Sequence, residues 1–266
     1  MNGKYFFDSG LPRSGTTLLS AILNQNPDLH TGPMSPVFGS MMALEDHLRY
    51  SEEANIYQKP DSFHSMVSGL IGNYYKDVNK PYIIDKCRAW SGQIARIKHY
   101  ITDNPKIIVT VRNPLDILSS FITLIEKNKN QISFIDRYLI QQKKELTTEN
   151  RCDFLMGRDS GVIYQSIFGL MDGLKEYREC IHLIEYEDLI NDPDNTISNI
   201  YNFLEIEYFE HDFNNIVKKY SENDNLYRLS GMHEIRTKLE KKSKPYEEVL
   251  SEEVISKYKN LELWKQ

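Results

Sequence analysis

Cysteine is scarce in this 266-residue chain: Cys87, Cys152 and Cys180 are all there are. An odd number without metal-ligand spacing gives neither a disulfide framework nor a zinc site, and it fits a reducing compartment. No run reaches the roughly 20 apolar residues that a membrane-spanning helix needs. A basic stretch followed by an apolar core is also missing from the start, where Lys4-Tyr5-Phe6-Phe7 is already strand-like. A cytoplasmic location with no membrane partner is therefore expected. Charge of one sign is lacking too. With 38 Asp and Glu against 32 Lys and Arg, the net charge is −6, which argues against nucleic acid as the main partner. No linker, repeat or low-complexity segment divides the chain, and 40% hydrophobic residues suffice for one core, so residues 1–266 read as a single domain. No His, Cys and carboxylate cluster suggests a metal.

What is present begins at Asp8-Ser9-Gly10-Leu11-Pro12-Arg13-Ser14-Gly15-Thr16-Thr17-Leu18-Leu19. A β-prone run leads into a glycine-bounded loop and then into an apolar, helix-patterned segment. Such a junction gathers unpaired N–H groups and the positive end of a helix dipole at one spot, a cradle for an anion. Gly10 and Gly15 permit a tight turn, Thr16 and Thr17 add hydroxyl donors, and Arg13 adds a forked cation. The spacing is that of a G-x-x-x-x-G-K-[ST] phosphate loop, with Thr16 where the lysine would stand. Alone, the segment would also suit a plain strand–helix turn. The embedded Arg and paired Thr favour a phosphate-like ligand.

A second anchor follows at Lys106-Ile107-Ile108-Val109-Thr110-Val111, a β-branched run of the kind buried on both faces in parallel sheets. It ends in Arg112-Asn113-Pro114 and a helical pattern that carries Ser120 two turns on. Arg112 thus falls at the carboxyl end of a central strand, where open α/β sheets bind ligands. Strands are predicted at 4–8, 82–85, 106–111 and 181–186, and helices at 16–24, 36–48, 61–78, 91–102, 114–126, 132–149 and 160–178. Beyond Asp192-Pro193 the pattern is helical to about 205, then irregular, with a last helix near 251–260. The class is α/β: a parallel β-sheet flanked by helices, ending in an α-rich C-terminal tail.

Together these residues resemble the sulfotransferases that use 3′-phosphoadenosine 5′-phosphosulfate (PAPS), and in particular the tyrosylprotein branch. Gly10 to Leu18 is similar to that branch's 5′-phosphosulfate loop, including Arg13 in place of the lysine of cytosolic sulfotransferases; Asn24, Asn26 and Pro27 continue the likeness. Val111-Arg112-Asn113-Pro114 with Ser120 resembles the 3′-phosphate site, Asp85-Lys86 the segment of the catalytic lysine, and Tyr186-Glu187-Asp188-Leu189 an element near the adenine. The resemblance implies a P-loop-like sulfotransferase fold. It gives catalytic roles to Arg13 and Lys86, and cofactor contacts to Arg13, Ser14, Gly15, Thr16, Thr17, Arg112, Ser120 and Tyr186. It implies in-line sulfuryl transfer that leaves 3′-phosphoadenosine 5′-phosphate (PAP), without a metal, to a small-molecule, glycan or peptide acceptor.

Two positions depart from the pattern. Where the tyrosylprotein branch carries Gly-Glu-Glu, with a catalytic base, this chain has Gly32-Pro33-Met34; where cytosolic relatives place a base His, it has Arg88. Glu45, Asp46, His47 and His64 are candidate substitutes in the segment 36–79, whose apolar residues suit either core or an acceptor cleft; His30 and His233 lie nearer the motifs. Residues 228–245, with Lys238, Lys241, Lys242 and Lys244, are a candidate lid. A P-loop kinase and a non-catalytic nucleotide binder are the rival functions.

Overall fold

The computed structural model describes residues 3–159, 161–240 and 244–265; Lys241 and Lys242 of the expected basic cluster lie outside them. Five strands, β1 (Lys4–Asp8), β2 (Leu29–Thr31), β3 (Tyr82–Lys86), β4 (Ile107–Val111) and β5 (Ile181–Glu185), form one sheet in the order β2-β3-β1-β4-β5. Every pairing is parallel, and Asp8 is in register with both Lys86 and Ile108. All five carboxyl ends therefore emerge along one edge.

Strand alternation divides the core in two. Phe6, Ile84, Ile108 and Ile184 pack against the helices Thr16–Leu23 and Pro193–Leu204. Phe7, Ile83, Val109 and Val111 face the opposite way, onto Trp90 and the helices Pro114–Lys127 and Val162–Tyr177. The sheet is covered on both faces, which explains the continuous apolar run of β4. No helix among the described residues is long and apolar enough to cross a membrane.

The four predicted strands are present; β2 was missed because three residues around His30 carry no periodicity. The helix predicted over 132–149 is two, Phe134–Gln141 and Thr148–Leu155. Lys143, at φ 55°, turns the chain out of the first, and the Thr147 hydroxyl caps the second by accepting from the Asn150 amide. The pattern over 61–78 starts at Pro60 and stops at Tyr74, behind an unforeseen short helix Glu52–Ile56. Over 91–102 only Ile94–Tyr100 is α-helical.

Candidate functional site

The helix after β1 packs on one face of the sheet and the helix after β4 on the other, so the two connections diverge. A crevice opens between them at the switch point where such sheets hold ligands. It is a cavity of about 740 Å³ lined by the β1 loop, Pro33 and Met34, Lys86 and Arg88 after β3, Arg112 after β4, Tyr186 after β5, and parts of 221–244.

The loop is held tightly. A Cβ at Gly10 would lie 2.0 Å from Thr110 Oγ1 and 2.3 Å from Thr16 Cγ2, so only glycine fits. Gly15, at φ +94°, caps the helix with its Cα against the Tyr186 ring. Arg13 is itself left-handed at φ 60°, a strained conformation for a side-chain-bearing residue. Ser14 corrects an expectation. Its fully buried hydroxyl lies 2.6 Å from the Leu11 carbonyl and 2.7 Å from Thr110 Oγ1, so it pins the loop to β4, and Ser14 does not line the cavity. Thr16 and Thr17 line the cavity, at a helix start where the first N–H groups lack intrahelical acceptors.

Three cations converge here. The Arg13 guanidinium donates through Nε to Ser120 Oγ at 3.1 Å and through Nη1 to the Met232 carbonyl. Ser120 thus meets Arg13 rather than Arg112. Arg112, 5% exposed, stacks 4.4 Å from the Tyr186 ring centroid and donates through Nη1 to the Arg13 carbonyl, 3.2 Å away. Its Nε and Nη2 are buried with no hydrogen-bond partner among the described residues, and so is Lys86 Nζ. Burial pulls the Arg13 and Lys86 cations below their ordinary pKa values; the charge of Arg112 adds to the effect on Arg13, and Asp8 opposes it at Lys86. Beside Lys86, the Asp8 carboxyl accepts from the Gly10 amide at 3.2 Å, and burial pushes it up to about 6.

Buried donors with no acceptor are costly, and an anion delivered into the crevice would satisfy them. The donor set suits two phosphate-like groups: cradle, Arg13 and Lys86 on one side, Arg112 on the other. The residues present therefore fit PAPS.

Over the mouth lies the irregular segment from Ser221 to Arg236. Asp224 Oδ1 stands 2.5 Å from His233 Nδ1, and its Oδ2 accepts from the His233 amide at 3.3 Å. Glu222 binds Lys218 Nζ at 3.3 Å. Asp8, Glu222 and Asp224 escaped notice in the sequence. Asp8 alone carried a signal, as a charge closing an apolar strand; the other two lie in a stretch without periodicity.

The segment 36–79 does not line the cavity. Val37, Met41, Val67 and Ile71 are core, Glu45 pairs with Arg96 at 2.5 Å, and His64 contacts the His99 carbonyl at 2.9 Å. Pro33 and Met34 do line the cavity, so no carboxylate faces it from these positions.

Fold and crevice define an α/β protein with three cations gathered at the switch point of a parallel sheet. A profile of the sulfotransferase family matches residues 6–210, and the chain belongs to that family. Among solved structures it is similar to the sulfotransferase domain of the Synechococcus PCC 7002 olefin synthase, at 21% identity over 86% of this chain and 80% of that one, with a TM-score of 0.50. It is also similar to the sulfotransferase domain from the curacin biosynthetic pathway, at 17% identity, coverages of 98% and 92%, and a TM-score of 0.52. A third is mouse sulfotransferase SULT7A1 complexed with PAP, at 14% identity, coverages of 98% and 83%, and a TM-score of 0.53. At these identities the likeness is one of fold. No curated protein sequence matches significantly.

Proposed function

We propose that the protein is an enzyme that moves the sulfuryl group of PAPS to an acceptor hydroxyl by in-line displacement. One observation carries this reading: Lys86 Nζ and two nitrogens of Arg112 are buried in the crevice with no hydrogen-bond partner among the described residues. Arg13, Gly15, Thr16 and Thr17 would hold the 5′-phosphosulfate, and Arg112 the 3′-phosphate, with Ser120 acting through Arg13 and Tyr186 bordering the adenine. PAPS supplies the group to be transferred. The chain supplies position and charge, as in phosphoryl transfer. Lys86 would donate to the bridging oxygen as negative charge gathers there, a contact whose main value lies in the transition state.

Pro33 and Met34 in place of a carboxylate argue against tyrosine peptides and for a small or glycan-like acceptor. The family carries the cofactor inference, which PAP in the mouse relative supports. Thermal denaturation in the presence of PAP or ADP, without Mg²⁺, tests it. PAP at about a hundred times its dissociation constant should stabilise the fold by roughly 2.7 kcal/mol. Equal stabilisation by ADP would favour a kinase.

A further inference from the structure

Sulfuryl transfer to a neutral hydroxyl, the reading on which this inference rests, needs a proton acceptor, and both expected positions lack one. The irregular segment over the crevice offers a replacement. Both oxygens of Asp224 grip His233, Oδ1 at ring Nδ1 (2.5 Å) and Oδ2 at the backbone amide (3.3 Å). That grip turns the opposite ring nitrogen away from Asp224. Nε2 stands 3.9 Å from Glu222 Oε1, beyond hydrogen-bonding distance, while the other Glu222 oxygen is held by Lys218. Glu222, His233 and Lys86 all line the same crevice.

The histidine is fixed from behind as well. Lys218 Nζ donates to its carbonyl at 2.9 Å, and Arg13 donates to the carbonyl of Met232, the residue before it. The groups facing the ring are Asp224, Glu222 and Tyr227, with Lys218 and Arg13 on its backbone side. A carboxylate on one imidazole nitrogen, with the other making no hydrogen bond among the described residues, is the arrangement of a general base: the first fixes the tautomer, the second is left to accept a proton.

We propose that His233 is the general base for the acceptor and that Asp224 is its positioning residue. The acceptor O–H proton passes to His233 Nε2 as the oxygen lone pair forms a bond to sulfur. The bond from sulfur to the bridging oxygen breaks, its electron pair leaves on PAP beside Lys86, and the imidazolium, balanced by Asp224, then releases its proton to solvent. The acceptor class is accordingly an alcohol. A neutral amine brings its own lone pair and needs no such help before attack.

A His–Asp pair that merely staples the loop would fix the same tautomer but leave turnover unmoved, so spectrum and rates are read together. Long-range ¹H–¹⁵N spectra of the full chain, with the His233 signals assigned by their loss in His233→Asn, report the tautomer. The neutral ring is expected as the Nδ1–H tautomer, moving toward Nε2–H in Asp224→Asn. Release of PAP from PAPS into water, followed in parallel, should fall about 100-fold in His233→Asn. Release with p-nitrophenol, whose phenolate needs no base, should change less than about threefold. PAP binding by the variant reports its folding. An Nε2–H tautomer in the wild type, or water-dependent release unchanged in His233→Asn, overturns the proposal. Failure of the wild type to bind PAP would instead remove the sulfotransfer reading, and the role of His233 with it.

Discussion

Asp85 and Lys86 are neighbours at the end of one strand, both buried, and they are treated in opposite ways. The Asp85 carboxylate, fully buried, accepts from Ser35 Oγ at 2.6 Å, Tyr75 Oη at 2.9 Å and Trp90 Nε1 at 2.6 Å. Lys86 points to the other face, into the crevice, and its ammonium has no partner among the described residues. A satisfied buried charge organises: Asp85 ties the loop before Ser35, the helix end at Tyr75 and the turn at Trp90 to the sheet. An unsatisfied one waits for a ligand. The same contrast separates Ser14, whose hydroxyl is wholly occupied within the protein, from Arg112, two of whose nitrogens have no hydrogen-bond partner among the described residues.

If this contrast is right, the two neighbours respond oppositely to substitution. Asp85→Ala strands three buried donors and should cost on the order of 4 kcal/mol of stability, read by urea denaturation. Lys86→Met should lower turnover by about 10²- to 10³-fold while leaving PAP affinity within about threefold. It should also stabilise the free protein slightly, by roughly 1 kcal/mol, because a buried unpaired cation is gone. A Lys86→Met variant as unstable as Asp85→Ala would erase the distinction.

Asp8 sharpens the contrast through pH. Its carboxyl titrates at about 6 in the fold, mainly through burial, against an ordinary value near 4. A raised acid stabilises the fold while protonated, so its contribution is complete below about pH 4 and is lost as pH rises through about 6. Asp8→Asn should therefore match the wild type at pH 4 and exceed it by up to roughly 3 kcal/mol at pH 7. A gap that stays constant between those pH values would mean that Asp8 is not held as described.

The sequence made the sheet and the anion cradle legible because both depend on local signals. β1 and β4 announce themselves as apolar runs ending in charge, and Gly10, Arg13, Gly15 and Thr16 lie within a single loop. The resemblance brought Lys86, Arg112 and Tyr186 to the same place, and the structure gathers them in one crevice. What stayed hidden depends on side-chain direction. Ser14 and Thr16 are two residues apart, yet one turns inward and the other to the ligand side. The segment 36–79 offered an apolar stripe that could serve core or cleft; its packing makes Val37, Met41, Val67 and Ile71 core, and it does not line the cavity. Asp224 and His233 meet across an irregular loop, and no periodicity in the chain foretells that pairing.

Calorimetric titration of PAP, without Mg²⁺, into the wild type and into Arg112→Ala asks most directly whether the unpartnered cations of the crevice are there for a ligand. Loss of charge-assisted contacts to phosphate should weaken PAP by about 30-fold, roughly 2 kcal/mol, and leave the weaker affinity for ADP nearly unchanged. Equal binding of PAP by the two proteins would contradict that role, since Arg112 would then be a buried cation with no ligand to explain it.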